Sequence, residues 1–301
     1  MPIALAYLGV VCIWSTTPLA IVWSGQGAGF LFGVSSRMLL GLCLMLLLLA
    51  VLRHPLHWHR KAWMTYLYAG LGLYGGMMLV YWGAQYMDSG WIAVLFGLTP
   101  MYSALMASWW LHDAPLTRAH IMGICLGILG LCVMFGSSLN LKDGALLGVL
   151  AVMLSGIIQS ASAVLIQRVD AQIPALSMNA GGLLCATPLF LMSLLYSTPN
   201  LTETIVAMPS TPSYALFSIA YLALFGSVLG FSLYFYVLKH VQATRVALIS
   251  MLTPVVSLFL GHGLNHEAIH MTTVLGSACI LVGLGVFVWG GRWSWLVPSG
   301  R

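Results

Sequence analysis

Long apolar runs, separated by short clusters of turn residues, make up almost the whole chain. Ten of these runs are about 20 residues long, which is the length that a helix needs to cross the hydrocarbon core of a bilayer. They cover residues 3–22, 30–52, 63–86, 89–111, 117–136, 144–166, 175–196, 213–238, 243–264 and 271–291. The runs are continuous rather than alternating, which favours helices over the strands of a membrane barrel. The pattern therefore predicts an all-α membrane protein with ten transmembrane helices.

One stretch of the chain occurs twice. Residues 89–114 read SGWIAVLFGLTPMYSALMASWWLHDA, and residues 243–268 read ATRVALISMLTPVVSLFLGHGLNHEA. Aligning the two Leu-Thr-Pro triplets also aligns the His-Asp-Ala that ends the first copy with the His-Glu-Ala that ends the second. A long internal repeat divides a chain into homologous units. The sequence therefore predicts two five-helix repeats, residues 1–140 and residues 141–301.

The odd number of helices in each repeat has a topological consequence. The second repeat must enter the membrane upside down relative to the first. Inverted repeats recur in secondary transporters, where the substrate site lies near the bilayer midplane between the two halves. We therefore expect the two inverted repeats to surround a central cavity and to open it alternately to the two sides of the membrane.

Composition and charge support a membrane protein and set its orientation. The chain is 60% hydrophobic and 6% charged, whereas soluble domains carry about 25% charged residues. The positive charges are scattered between apolar runs, so they predict topology rather than a nucleic-acid partner. If the N-terminus is cytoplasmic, nine of the eleven Lys and Arg lie on the cytoplasmic side and only Lys142 lies outside. Both termini are therefore predicted to be cytoplasmic.

The repeated Thr-Pro pairs are the first candidate functional residues. Thr99-Pro100 and Thr253-Pro254 lie near the middle of their spans. A proline removes one helical hydrogen bond and clashes with the carbonyl four residues back, which for Pro254 belongs to Ser250. Irregular backbone at membrane depth is tolerated where it is buried in protein or lines a cavity. The sequence allows either a packing kink or a hinge in the cavity wall, so Ser250 is a candidate substrate contact.

Arg37 is the one charge well inside a predicted span. An ionisable residue within a membrane segment is a functional-site hypothesis by default. Its guanidinium could hold a substrate carboxylate, or it could bind helix-end carbonyls and fix the position of the second span. Both interpretations are compatible with the sequence.

Aromatic and neutral polar residues complete the candidate substrate site. Tyr74, Met78 and Tyr81 share one face of the third span, because they are spaced by three and four residues. They could pack in the core or form a cavity wall. Neutral polar residues in other spans could bind a substrate or join helices to each other. These candidates are Ser15, Gln159 and Asn179.

One stretch matches a metalloprotease signature. His266-Glu267-Ala268-Ile269-His270 reads H-E-x-x-H, in which a helix presents two zinc ligands and a general base. A zinc protease is therefore the alternative from a different functional class. However, the stretch follows the ninth span in a predicted loop, and its first three residues belong to the repeat. We therefore expect no metal, no cofactor and no enzymatic activity.

The assembled motifs resemble those of the EamA family in the drug/metabolite transporter superfamily. The resemblance rests on Trp14-Ser15-Thr16, on Arg37-Met38-Leu39-Leu40, on Ala84-Gln85-Tyr86 and on the repeated Leu-Thr-Pro. It covers nearly the whole chain, and it adds Trp14 to the candidate substrate contacts. It implies export of amino acids or similar small metabolites across a bacterial inner membrane. Import or exchange of a choline- or nucleotide-type metabolite is the alternative, and a homodimer is one possible assembly.

Overall fold

The computed structural model describes residues 3–110, 117–136, 144–197, 211–240 and 243–290. Throughout these residues the regular structure is helical, without a strand. In chain order the elements are α1 (Ile3–Ser24), α2 (Phe30–Val51), α3 (Arg60–Gly83), α4 (Ser89–Phe96), α5 (Thr99–Trp110), α6 (Arg118–Gly136), α7 (Ala145–Val169), α8 (Ala175–Ser197), α9 (Ser213–Tyr221), a π-helical segment (Leu222–Gly230), α10 (Phe231–His240), α11 (Ala243–Asn265) and α12 (Met271–Gly290). The all-helical prediction is confirmed for the described residues.

Most described helices are long and apolar enough to cross a membrane. Seven helical stretches within the described residues meet that condition, and Arg118–Met134 is a shorter apolar helix. Two predicted spans are interrupted. The span predicted at 89–111 consists of α4 and α5, and the span predicted at 213–238 changes from α-helix to π-helix and back.

The distribution of side chains is the reverse of that in a soluble protein. Large apolar residues are exposed, for example Val51 with 71% and Phe259 with 69% of their surface accessible. Polar residues within the helices, including Ser15, Arg37 and Asn179, are buried. An exposed apolar surface of this extent needs a lipid covering, and buried polar groups in a membrane face the bundle interior. The chain is a multi-pass membrane protein.

Glycines allow α6 and α12 to pack closely against each other. α6 packs along α12, and a Cβ atom added at Gly123 would lie 2.6 Å from the Gly283 carbonyl oxygen. Gly130 makes the same close approach to Gly276. Small residues allow helices to approach closely in a membrane, where water does not drive the association. The GxxxG pair Gly123/Gly127 is therefore engaged inside the chain.

Candidate functional site

The helix of the first repeat copy is broken at its centre. α4 ends at Phe96 and α5 begins at Thr99, with Gly97 and Leu98 forming the turn. The Gly97 N–H still donates to the Val94 carbonyl at 3.0 Å. The backbone groups at this break are therefore satisfied by short-range bonds, as irregular structure inside a membrane requires.

The two repeated prolines occupy different settings. Pro100 is the second residue of α5, where a missing N–H costs no helical hydrogen bond. Pro254 lies inside α11, which continues from Ala243 to Asn265, and both Thr253 and Pro254 are buried. The first proline therefore stands at a break and the second within a continuous helix. Ser250 belongs to α11, and its side chain lies outside the described part of the structure.

Two hydroxyl groups beside the break are buried without a hydrogen-bond partner among the described residues. They are Thr99 Oγ1 and Tyr102 OH, which lie three positions apart on α5. Both face Gly156 of α7, where an added Cβ would lie 3.2 Å from Tyr102 Cε2 and 3.7 Å from Thr99 Oγ1. An unsatisfied buried hydroxyl costs about 1–3 kcal/mol. The pair is therefore able to bind a polar ligand.

Neutral polar side chains of α7 adjoin these hydroxyls. Ser160 Oγ donates to the Thr99 carbonyl at 3.2 Å, and Gln159 Nε2 donates to Ser155 Oγ at 3.0 Å. Gln159 also lies against Gly76 of α3, where an added Cβ would be 2.7 Å from its Cγ. We define the α5–α7 polar cluster by its five residues, Thr99, Tyr102, Ser155, Gln159 and Ser160. The cluster offers hydrogen-bond donors and acceptors without a formal charge.

Arg37 is the centre of a second polar group, and its side chain is only 1% exposed. Its Nε donates to Ser227 Oγ at 3.1 Å and its Nη1 to Tyr81 OH at 3.4 Å. Asn179 Nδ2 donates to the Ser227 carbonyl at 2.8 Å, and Ser24 Oγ donates to Tyr81 OH at 3.3 Å. We call these five residues the Arg37 network. It joins α1, α2, α3, α8 and the π-helical segment.

The π-helical segment is shaped around Arg37. A Cβ added at Gly226 would lie 2.8 Å from Arg37 Nη2, so glycine lets the guanidinium reach the backbone. The next residue, Ser227, supplies the hydroxyl to Arg37 and the carbonyl to Asn179. π-Helices are rare and are frequently found at functional sites. Within the described residues no carboxylate pairs with Arg37, so hydroxyl groups and the Tyr81 ring, 6.0 Å away, stabilise its charge.

Trp14 of α1 belongs to an aromatic group with two residues of α10. Its ring centroid lies 4.8 Å from that of Tyr234 and 6.3 Å from that of Phe231. The neighbouring Ser15 is fully buried, and its Oγ has no hydrogen-bond partner within the described chain. Thr16 Oγ1 lies 2.6 Å from Tyr221 OH, which ties α1 to α9. Trp14 also lies beside Gly230 of the π-helical segment, but it makes none of the hydrogen bonds that define the Arg37 network.

The predicted stripe on α3 has two sets of partners. Tyr74 OH lies 2.7 Å from Ser193 Oγ, and its ring is 5.0 Å from that of Phe190. Met78 packs against the main apolar core, whereas Tyr81 contacts Arg37. Tyr74 therefore faces α8, and only Tyr81 joins a charged group.

Tyr102 and Ser227 were missed by the sequence analysis. Tyr102 had one available signal, because it lies three residues after Thr99 and so shares its helical face. Ser227 had no comparable signal, since its partner Arg37 is 190 positions away in the chain.

The H-E-x-x-H stretch does not have the helical form of a zinc site. His266 to His270 lie between α11 and α12, in non-helical backbone. The Glu267 carboxylate accepts hydrogen bonds from the Ser89 and Gly90 backbone N–H groups. No group of three His, Cys, Asp or Glu capable of holding a metal occurs within the described ranges. The two histidines therefore lack the common helical face that the signature requires.

Comparison with known proteins gives one consistent family. The sequence pattern of the EamA-like transporter family matches residues 1–136 and 146–289. The chain is 27% identical to YoaV, an uncharacterized transporter of Bacillus subtilis, over 94% of this chain and 95% of that protein. It is 26% identical to a probable amino-acid metabolite efflux pump of Salmonella typhimurium, over 59% of this chain and 60% of that protein.

Two further similarities concern location and fold. The chain is 24% identical to YedA, an uncharacterized inner membrane transporter of Escherichia coli K12, over 68% of this chain and 65% of that protein. One solved crystal structure superposes with a TM-score of 0.69 at 19% identity, covering 96% of this chain and 98% of that one. At this identity the superposition supports the fold alone.

Proposed function

Because this chain belongs to the EamA-like transporter family, we propose that it exports amino acids or related small metabolites. Transport proceeds by alternating access between two inverted five-helix halves, residues 1–140 and 141–301. The observation that carries the site is the pair of buried, unpartnered hydroxyls of Thr99 and Tyr102. They lie at a helix break between α4 and α5, against a helix of the other half.

The packing of helices supports two equivalent halves. α1 packs on α11, and its counterpart α7 packs on α5. α3 packs on α8, and their counterparts, the π-helical segment and α2, pack on each other. Two further contacts each join a helix to its own counterpart in the other half. These are the contact between α2 and α8 and the contact between α6 and α12. A pseudo-twofold arrangement of this kind is what two homologous halves with ten helices would produce.

The α5–α7 polar cluster and its neighbours define the proposed substrate contacts. Thr99, Tyr102 and Gln159 supply hydrogen bonds to the polar part of the substrate, and Thr253 and Pro254 form the corresponding wall on α11. Ser15 presents a third buried, unpartnered hydroxyl. These groups are neutral, so they suit a substrate that is small and polar. Ser250 stays a prediction from the repeat.

Arg37 is proposed to position the π-helical segment rather than to contact the substrate in this conformation. Its side chain is buried and already bonded to Ser227 and Tyr81. A role in holding a substrate carboxylate stays a prediction, and it requires that one of these bonds opens. Asn179 and Tyr81 belong to the same network and share its role, whereas Tyr74 and Met78 are proposed to support the wall of α3.

Ligand-induced thermal stabilisation tests the proposed site. A ligand that binds only the folded state adds about 2.7 kcal/mol at 100 times its dissociation constant. We expect detergent-purified protein to be stabilised by one or more members of an amino-acid panel. Tyr102→Phe removes a single unpartnered hydroxyl, so it should reduce that shift without lowering the melting temperature of the ligand-free protein.

The control for this substitution is Tyr196→Phe, because Tyr196 is 91% exposed at the end of α8. It should leave the ligand shift unchanged. An equal shift in Tyr102→Phe and in the parent chain would contradict the proposed contact. Loss of the shift in Arg37→Ala but not in Tyr102→Phe would instead assign the substrate carboxylate to Arg37.

A choline-type substrate is the second candidate, and the aromatic group around Trp14 favours it. The Trp14 and Tyr234 rings lie 4.8 Å apart, and aromatic faces bind quaternary ammonium groups. Stabilisation by quaternary amines alone, abolished in Trp14→Leu, would favour import or exchange of such a cation. Stabilisation by amino acids alone would contradict it.

Location and assembly complete the proposal. We propose a bacterial inner membrane location with both termini in the cytoplasm. The distribution of Lys and Arg supports this orientation, and the similarity to an inner membrane transporter supports the location. A homodimer stays a prediction. The sequence has the GxxxG pairs Gly123/Gly127 and Gly226/Gly230. At least one glycine of each pair makes a close contact inside the chain, Gly123 with α12 and Gly226 with Arg37.

A further inference from the structure

Glu267 joins the two halves of the protein at one end of the bundle. Its Oε1 accepts hydrogen bonds from Ser89 N at 3.1 Å and from Ser89 Oγ at 2.7 Å, and its Oε2 accepts one from Gly90 N at 3.3 Å. Glu267 follows α11 in the second half, whereas Ser89 and Gly90 begin α4 in the first half. The carboxylate therefore caps a helix that lies 178 residues earlier in the chain.

The capping is unusual because a local capping residue is present. Asp88 stands at the N-cap position of α4, yet its side chain makes no capping hydrogen bond. A carboxylate at a helix N-terminus is stabilised by the unpaired N–H groups and by the helix dipole. Here the group that takes this place belongs to the other half. In this conformation the Ser89 and Gly90 N–H groups at the N-terminus of α4 are therefore bonded to the other half.

Asn265 and Trp23 extend the same contact to α1. Asn265 Nδ2 donates to Glu267 Oε1 at 2.9 Å, and Asn265 Oδ1 accepts from Trp23 Nε1 at 2.8 Å. Gly261 lies against the carboxylate, because a Cβ atom added there would clash with Glu267 Oε2. We define Trp23, Ser89, Gly90, Asn265 and Glu267 as the outer latch. The predicted topology places it at the external face of the membrane.

We propose that Glu267 is the positioning residue that closes the external side of the transport pathway, and that its release from α4 accompanies opening to the outside. The bonds that it makes are charge-assisted, which makes them stronger than neutral ones. They join α4, which precedes the first Leu-Thr-Pro triplet, to the end of α11, which contains the second triplet. The opening step rests on the proposed alternating-access function, whereas the bonds of the latch do not.

A thiol introduced just below the latch reports whether α4 and α11 separate. Ala93 is 3% exposed and lies one turn after Gly90, which packs on Leu258 of α11. In Ala93→Cys the introduced thiol should react slowly with a positively charged methanethiosulfonate reagent, and mass spectrometry of its peptide separates it from the native cysteines. Adding Glu267→Gln should make this reaction about tenfold faster, because losing charge-assisted bonds shifts the equilibrium towards the open form.

The matched control is Asp170→Asn in the same Ala93→Cys background. Asp170 follows α7, and its carboxylate accepts a hydrogen bond from Gln172 two residues away, so it joins no other helix. This change should leave the labelling rate unaltered. A purely local cap would fray only the first turn of α4, which ends before Ala93. An unchanged rate in a folded Glu267→Gln protein would therefore overturn the proposal.

Trp23→Phe provides an independent variant if Glu267→Gln does not fold. It keeps the carboxylate, and it removes the Nε1 donor to Asn265 together with part of the ring that contacts Tyr214, so the labelling rate should rise several-fold. A rate equal to that of the parent would also overturn the proposal. Labelling of intact cells with the membrane-impermeant reagent assigns the latch to the external side, and labelling only after permeabilisation would contradict that side. None of these measurements needs a substrate, so they are independent of the ligand panel.

Discussion

At the scale of single residues, the structure shows how a charge is accommodated inside the bundle. Arg37 is bonded to Ser227 and Tyr81, and Gly226 leaves space for its guanidinium. A buried charge that loses its partner costs more than a neutral group does. The hydroxyl of Ser227 therefore has a larger structural role than its size suggests.

Ser227→Ala tests this role. The change leaves Arg37 Nε without its hydroxyl acceptor, and a lost hydrogen bond to a charged group costs about 1.5–3 kcal/mol. We expect a clearly lower melting temperature for the purified protein, whereas Ser197→Ala at the exposed end of α8 should leave it unchanged. Equal melting temperatures for the two variants would show that Arg37 finds another partner.

At the scale of helices, the two copies of the repeated stretch adopt different structures. The first copy breaks before Thr99, and the second copy continues through Pro254. One local difference is that Gly97 of the first copy corresponds to Met251 of the second. Glycine costs about 1 kcal/mol relative to alanine inside a helix. The first copy thus has both Gly97 and Pro100 at the point where its helix breaks. The second copy has Pro254 without the glycine, and its helix continues.

The two prolines should respond differently to substitution. Pro100 lies in the first turn of α5, so Pro100→Ala should change stability little. Pro254 lies inside α11, where the proline costs the helix a hydrogen bond, so Pro254→Ala should raise the melting temperature. The measurement is the melting temperature of each single variant, compared with that of the parent protein. A larger rise in melting temperature for Pro100→Ala than for Pro254→Ala would contradict the assignment of Pro100 to a helix start and of Pro254 to a helix interior.

At the scale of the whole molecule, the described acids and several histidines lie away from the membrane centre. Asp88, Asp170 and Glu267 stand in loops or at helix ends, and His120 and His262 lie in the first and last turns of their helices. Proton-coupled carriers place such groups along the transport path. We therefore predict that transport is driven by the substrate gradient and, for a charged substrate, by the membrane potential.

Reconstituted protein provides the test of this coupling. Proteoliposomes should take up the radiolabelled amino acid that gives the largest thermal shift at the same initial rate with and without an imposed pH gradient. Liposomes without protein supply the background. Accumulation that depends on the pH gradient would contradict the prediction of transport without proton coupling, and it would leave the substrate assignment intact.

The sequence by itself determined the positions of most helices. Each long apolar run became helical in the described residues, because backbone groups in lipid must be paired within the segment. The internal repeat and the family motifs could also be identified from short stretches of the sequence. The sequence indicated Arg37 and Thr99 as candidates, because a charge or a Thr-Pro pair within an apolar run is conspicuous.

Only the tertiary structure decided which partners these residues have. The contacts of Arg37 with Ser227 and of Glu267 with Ser89 join positions 190 and 178 residues apart. Glu267 in particular looked like part of a metal motif and instead caps α4. Hydrophobic patterning describes how each segment meets lipid, but a hydrogen bond depends on the position of its partner to within about 0.5 Å. That position is set by the packing of helices from both halves.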